Sequence, residues 1–347
     1  MSTGRGAAVL IVLCAASVAP AGSLSRAPTG RAGGPEIWFA PAPGSLDLLQ
    51  LFGSTAGWPR AFEKTDVVKF YQQHVLRTPP AIVGPNTYDA LERRGVFRRI
   101  ARTWRRRIAL EVGAVKDFYC VQGARGTDEA IRGTIQAVEA VRDAGGEVGY
   151  LALDEPFLAG REPVCGGPDP RPTVDRLVRY MREVKAALPA IDIGLIEPYP
   201  AFGRHELAGF LGLLASRGVG PAFLHLDVDL NALRRRHDLT RDLRYVAENC
   251  ARIGVAFGVI VWSGRSDTDA AYFDDALRLV RAVDAAFDWP APDHLIVQSW
   301  AESPNGDRVT PSNLPETRHG SHTMLINRTV RMLKGLSRGR RTSGERE

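Results

Sequence analysis

The sequence predicts one α/β domain closed into a (β/α)8 barrel, and three observations carry that expectation. Short apolar, β-branched or aromatic runs occur eight times, at 36–40, 67–73, 107–115, 147–154, 192–197, 223–230, 256–263 and 294–301. Their starts lie 31 to 45 residues apart, the length of one strand, one helix and their turns. Segments of helical period fill the intervals, so strands and helices alternate without a break. A doubly wound sheet would place a glycine-rich phosphate loop after its first strand. Here Pro41-Ala42-Pro43-Gly44 stands in that place.

The helices follow from periodicity and stop signals. The clearest lie at 127–144, 173–188, 205–216, 240–253 and 268–287, and a weaker one at 87–104. Thr173, Thr240 and Asp267 are expected N-caps, and Gly145, Pro189 and Gly254 expected terminators. A last helix is expected after Pro315, behind the eighth strand.

The flanks read differently. Arg5 precedes an apolar run from Ala7 to Ala19, and Ala19-Pro20-Ala21 fits a small-x-small cleavage site. Residues 1–21 therefore read as a secretory signal peptide, too short to span a bilayer. Cys14 follows Leu13 rather than a small residue, which argues against a lipid anchor. Residues 22–35 read as a flexible linker, 36–335 as the barrel and 336–347 as a disordered basic tail. Export to a secreted or periplasmic location would permit a disulfide. Cys120 and Cys165 follow strands three and four, in adjacent loops at one mouth, and are the expected pair. Cys250, inside a helix, is an expected buried thiol.

Composition narrows the class. With 44% hydrophobic and 24% charged residues over 347 positions, the chain is neither disordered, collagenous nor coiled-coil. Lys+Arg 45 against Asp+Glu 39 gives +6, and only five of the cations are lysine. The arginines are scattered as solvated helix faces would be, so no nucleic-acid partner is implied. No run after the leader reaches 18 apolar residues, so no membrane span is expected. A monomer is the expected state.

Barrel enzymes place their chemistry where the C-terminal strand ends converge. Strand two ends with Lys69, Tyr71 and Gln73, and strand three carries Glu111. Strand four ends Leu153-Asp154-Glu155-Pro156, and strand five ends Ile196-Glu197-Pro198-Tyr199. Strand six alternates His225, Asp227 and Asp229 on one face; strand eight alternates Gln298, Trp300 and Glu302. Strand seven ends Val261-Trp262-Ser263-Gly264. Acids on strands four to six would then face the tryptophans of strands seven, eight and one. Indoles stack on the C–H faces of sugars while carboxylates bond hydroxyls and transfer protons, which suits a carbohydrate substrate. His225 and Trp38, deeper in their strands, are expected core residues.

With the strands so placed, the sequence resembles the TIM-barrel glycoside hydrolases. The resemblance rests on Asp154-Glu155-Pro156 at the end of strand four and Trp300 at the end of strand eight. In the large retaining clan of these enzymes strand four ends Asn-Glu-Pro, the Glu being the general acid/base. The resemblance assigns that role to Glu155, with Asp154 in the place of the Asn. The clan's nucleophile is a Glu ending strand seven, where this chain has Trp262-Ser263-Gly264.

The second catalytic carboxylate therefore stays open between Glu197 and Asp229. Glu197, one stave away at about 5 Å, would imply retention; Asp229, nearer 9 Å, would imply inversion. Glu197 is the preferred partner. Trp300 and Trp262 are expected to stack on sugar rings, and Tyr71, Lys69 and Gln298 to bond hydroxyls. Asp154, Asp227, Tyr199 and Glu302 complete the expected substrate contacts, with no cofactor and no metal. Two rivals stand beside this reading. One is a metal-dependent TIM-barrel hydrolase or isomerase using Glu197, His225, Asp227 and Asp229. The other is a non-catalytic carbohydrate-binding barrel, suggested by the absent strand-seven Glu.

Overall fold

The computed structural model describes residues 34–116, 120, 122–234, 237–265, 267–287, 292–300 and 310–343, with side chains through 333. The leader and nearly all of the linker, Glu302, Trp289 and the last four residues lie outside the described residues.

Eight parallel strands close in sequence order into one barrel. They are β1 (Glu36–Ala40), β2 (Val67–Tyr71), β3 (Arg107–Val112) and β4 (Val148–Asp154). The second half comprises β5 (Asp192–Tyr199), β6 (Phe223–Val228), β7 (Ala256–Val261) and β8 (His294–Gln298). A helix follows each strand: α1 (Pro59–Lys64), α2 (Tyr88–Arg93), α3 (Ala124–Asp143) and α4 (Arg171–Ala187). The rest are α5 (Arg204–Ser216), α6 (Leu239–Arg252), α7 (Asp269–Ala286) and α8 (His322–Ser343). The barrel is closed where β8 pairs with β1, Ile296 opposite Trp38 and Gln298 opposite Ala40.

Apolar packing forms two layers, as the period of two in a strand requires. One set of strand residues, with Ile37, Phe39, Leu110, Leu153, Leu195 and Val259 among them, packs outward against the helices. The alternate set, including Trp38, Tyr150, Ala152, Ile196, Phe223 and Ile260, fills the lumen. Two glycines make room for large rings there. A Cβ on Gly194 would lie 2.2 Å from the Phe223 ring, and one on Gly258 would lie 2.7 Å from His225. His225 is fully buried and its Nε2 sits 2.9 Å from His294 Nδ1. Burial holds the His225 imidazole well below its ordinary pKa, helped by the nearby His294. Both His225 and Trp38 are thus lumen core, as the sequence suggested.

Helix starts differ from expectation by a few residues. Thr268 rather than Asp267 caps α7, its hydroxyl accepting from the Ala271 N–H, and Asp238 rather than Thr240 caps α6. Helix α4 begins two residues ahead of Thr173 because Pro172 fits the first turn, where its missing N–H costs nothing. The 87–104 segment is broken at Gly95, whose φ of +61° ends α2 before a second short turn starts. Among the described residues no helix is long and apolar enough to cross a membrane. The Cys120–Cys165 disulfide is formed, with Cα atoms 4.9 Å apart, and Cys250 is a buried free thiol.

Candidate active site at the barrel mouth

Strand phase decides which polar residues meet. Lys69 and Tyr71 of β2, Glu111 of β3, Asp154 of β4 and Asp227 of β6 share the lumen-facing phase of Val67, Ala109, Ala152 and Phe223. Trp262 and Trp300 follow Ile260 and Ile296 in the same way and pack on the lumen core. At the top of the barrel these side chains form a cup.

Acids from three staves line one arc of it. Lys116, in the loop after β3, lies 2.5 Å from Asp154 Oδ2 and 3.6 Å from Glu155 Oε2. The two neighbouring carboxylates therefore straddle one ammonium. Their side chains are 27% and 23% exposed, which places them at a solvated mouth and not in the core. Glu155 has a left-handed backbone, φ +49°, on the residue that leads into the short helix Pro156–Gly160. A non-glycine residue held there stores strain of order 1–3 kcal/mol, which is commonest at functional positions. Burial, then the charge of Glu111, pushes the Asp154 carboxyl up to about 7, with Lys116 pulling the other way. For Lys116, burial opposes the charged form, but Asp154 and then Glu155 and Glu111 more than offset it and its pKa is raised.

Asp227 stands across from this pair, with β5 between. It is 8% exposed, and its Oδ1 has no hydrogen-bond partner among the described residues. Burial first, then the charges of Glu155 and Glu111, hold its carboxyl well above the usual carboxylate range, and Lys69 only partly opposes them. A buried polar atom left without a partner costs about 1–3 kcal/mol, so the fold has kept Asp227 against its own stability.

The next two staves, β7 and β8, are aromatic at the mouth. The Trp262 and Trp300 rings are tilted 32° with centroids 4.5 Å apart, and both are half-buried. The buried Trp262 Nε1 also lacks a partner.

Five expected site residues are placed elsewhere. Glu197 is one position out of phase: Ile196 fills the lumen, so Glu197 faces the helix layer with no exposure. Its carboxyl accepts the N–H groups of Phe157 at 2.7 Å and Leu158 at 3.3 Å, bracing the loop that carries Glu155. Burial pushes its pKa well up, against those two hydrogen bonds. Tyr199 shares that outward phase and donates to Asp242 of α6 at 2.6 Å. Lys69 and Gln298 do face the lumen, but as a buried floor. Lys69 reaches Glu111 at 2.5 Å and also bonds Gln298, whose amide donates to Glu111 at 3.2 Å. Both are buried, so they support the cup from beneath. Tyr71 likewise gives its hydroxyl to the Ser299 carbonyl at 2.9 Å.

Asp229, the other candidate second carboxylate, caps the turn Leu230–Ala232 by accepting the Asn231 N–H at 2.8 Å. Glu302 lies outside the described residues. Among the described residues no group of three His, Cys, Asp or Glu side chains could hold a metal ion. The residues of the rival metal reading are dispersed: Glu197 turns outward, His225 is packed in the lumen and Asp229 caps its own loop.

Sequence reasoning missed Lys116. One signal was present: the chain has only five lysines among 45 basic residues, and one of them lies just past a barrel strand. Its compact ammonium suits a slot between two carboxylates better than a guanidinium fork. Asp227 was read as a substrate contact, and its isolation could be seen only in three dimensions.

Glu197→Ala is expected to destabilise the fold by about 2–4 kcal/mol, since two buried N–H groups lose their acceptor. Glu197→Gln, which keeps one acceptor oxygen, should lose less than half of that. Denaturant unfolding of both variants reads the difference. Native stability in Glu197→Ala would return this residue to the list of candidate catalysts.

No family model matches the chain, and no curated protein matches it in sequence. Solved structures do match in fold. A glucosidase from Croceicoccus marinus is 16% identical with a TM-score of 0.51, over 89% of this chain and 69% of that one. A GH10 xylanase from Thermobacillus composti is 12% identical with a TM-score of 0.52, over 86% and 97%. An active domain of a Pyrococcus furiosus chitinase is 16% identical with a TM-score of 0.51, over 86% and 96%. At such identities the likeness establishes the barrel.

Proposed function

We propose that this chain is an exported glycoside hydrolase acting on a poly- or oligosaccharide, with Asp154, Glu155 and Asp227 as its catalytic carboxylates. The observation that carries the reading is that they share one cup with the Trp262–Trp300 pair, Asp154 and Glu155 on the stave across from Trp300 and Asp227 on the stave beside Trp262. The fold neighbours that are a glucosidase, a xylanase and a chitinase support it. Export is supported by the leader-like run at Ala7–Ala19 and by a disulfide suited to an oxidising compartment.

The roles follow from environment. A general acid works best with a pKa near the operating pH, and Asp154, pushed up to about 7, fits that need. In this reading Asp154 protonates the leaving oxygen. Glu155, on the other side of Lys116, steadies positive charge developing on the sugar. Asp227 is the carboxylate across the ring. Strands spaced about 4.8 Å put β4 and β6 about 10 Å apart, less once side chains lean inward. That leaves the roughly 6.5–9.5 Å gap in which a water is activated, so inversion is the expected outcome. With Glu197 turned away, the geometric case for retention through an adjacent stave is gone. Asp227 must lose its proton to act as base, and positive charge in the substrate complex has to restore that ionisation.

The test is release of reducing ends from a glycan panel, with the first-formed anomer followed by NMR. Binding of a glycan with no cleavage by native protein would leave a carbohydrate-binding barrel instead. The pH profile checks the acid. As pH rises through about 7, Asp154 gives up its proton, so kcat/KM should fall on the alkaline side. Lys116 lowers the Asp154 pKa, so Lys116→Met should move that alkaline limb to higher pH. A limb that stays in place would remove Asp154 from the acid role. Stability should follow the same group. The folded carboxyl binds its proton more tightly than the unfolded chain does. Its contribution is therefore full below about pH 4 and lost as pH rises through about 7.

A further inference from the structure

Among the described residues the cup holds more negative than positive groups, and the cations are already committed. Lys69 is bound to Glu111 and Gln298 beneath the cup, and Lys116 to Asp154 and Glu155 at its edge. These are the only cations that the described structure pairs with the four acids, although the chain carries 45 basic residues. Asp227 is left over. It is more than nine-tenths buried, it points into the cup, and its Oδ1 meets no donor among the described residues. On the neighbouring strand, Ile260 is its register partner and Trp262 lies two residues further on the same face. A position between them has a carboxylate on one side and an indole on the other, which is the environment that attracts an ammonium group.

We infer that the sugar bound in this cup is a hexosamine with a free amino group, whose ammonium sits between Asp227 and Trp262. This rests on the glycoside-hydrolase reading and names its substrate class. A neutral sugar would leave the buried Asp227 carboxyl holding its proton. An ammonium sugar supplies the charge that the described residues do not bring to Asp227, and so delivers the ionised base that inversion needs. The selectivity is then built into catalysis: acetylating the amine removes the cation and with it the base. The +6 overall charge does not oppose this, because exposed charges farther than about 8 Å are screened at physiological salt.

The test compares one oligosaccharide with and without its charge. Oligomers of glucosamine and of galactosamine are prepared with free amines and again after N-acetylation. Binding is measured by calorimetry and cleavage by reducing-end release. The free-amine form of at least one series should bind at least tenfold tighter than its acetylated twin, and should be the form cleaved. The preference should shrink as salt is raised, and Asp227→Asn should abolish it in binding. Equal or tighter binding of the acetylated forms overturns the inference, and cleavage of those forms would leave the hydrolase reading standing. Tighter binding of the amines with no cleavage sustains the inferred ligand and removes the hydrolase reading. No binding of any amine oligomer overturns the ligand class, whatever other glycans are cut.

Discussion

Asp227→Asn is expected to lower turnover on the cleaved glycan by about 10²–10⁴, the usual worth of a positioned acid or base, while leaving the melting temperature unchanged or raised. The two readouts pull apart because Asp227 does different things for function and for folding. The side chain is buried, one of its oxygens has no partner, and its carboxyl is held well above the usual carboxylate range by burial and by Glu155 and Glu111. An amide of the same shape stands in for the protonated carboxyl that burial favours and opens no cavity. On the proposed reading a residue such as Asp227 trades stability for activity. Glu155→Gln should also lose activity, but its side chain is 23% exposed beside Lys116, so its effect on melting should be within about 0.5 kcal/mol. If Asp227→Asn keeps full activity on a glycan that Glu155→Gln no longer cleaves, the second carboxylate lies elsewhere, with Asp229 the next to test.

The fold was legible because strand periodicity and spacing are local properties. Trp38, Phe223 and Ile296 report their strands through immediate neighbours, and a barrel is the arrangement that an unbroken strand–helix alternation favours. The site was legible only in part. Asp154, Glu155, Asp227, Trp262 and Trp300 gather as the strand ends implied. Glu197 was misplaced because the reading treated a strand's last residues as all facing the mouth. A shift of one residue exchanges lumen for helix layer, and the burial of Ile196 shows which phase β5 adopts. Tyr199 failed for the same reason. Lys69 and Gln298 were placed on the correct face but at the wrong depth, because sequence does not say how far below the rim a strand residue sits. Lys116 was invisible to strand logic altogether, since it belongs to a loop.

Opening the Cys120–Cys165 disulfide should affect catalysis more sharply than folding. The bridge closes 45 residues of chain, for which loop-closure entropy gives an upper figure of about 4 kcal/mol. Spread over the entropy of unfolding about 300 residues, that is a fall in melting temperature of only about 3–6 °C. Its local consequence is larger. The Cys120 N–H bonds the Lys116 carbonyl at 3.0 Å, and Cys165 ends the turn that follows the short helix led by Glu155. The bridge thus ties the loop that carries the ammonium to the loop that carries the acids. A displacement near 1 Å in such a group can cost a hundredfold in rate. The double variant Cys120→Ser/Cys165→Ser, assayed well below its melting temperature, is expected to lose about tenfold or more in kcat. The limb of its pH profile near 7 should move up, as in Lys116→Met, because in both cases the ammonium leaves Asp154. A variant with lower melting but unchanged kcat and pH profile would reduce the disulfide to a staple of the rim and leave Lys116 held by its ion pairs alone.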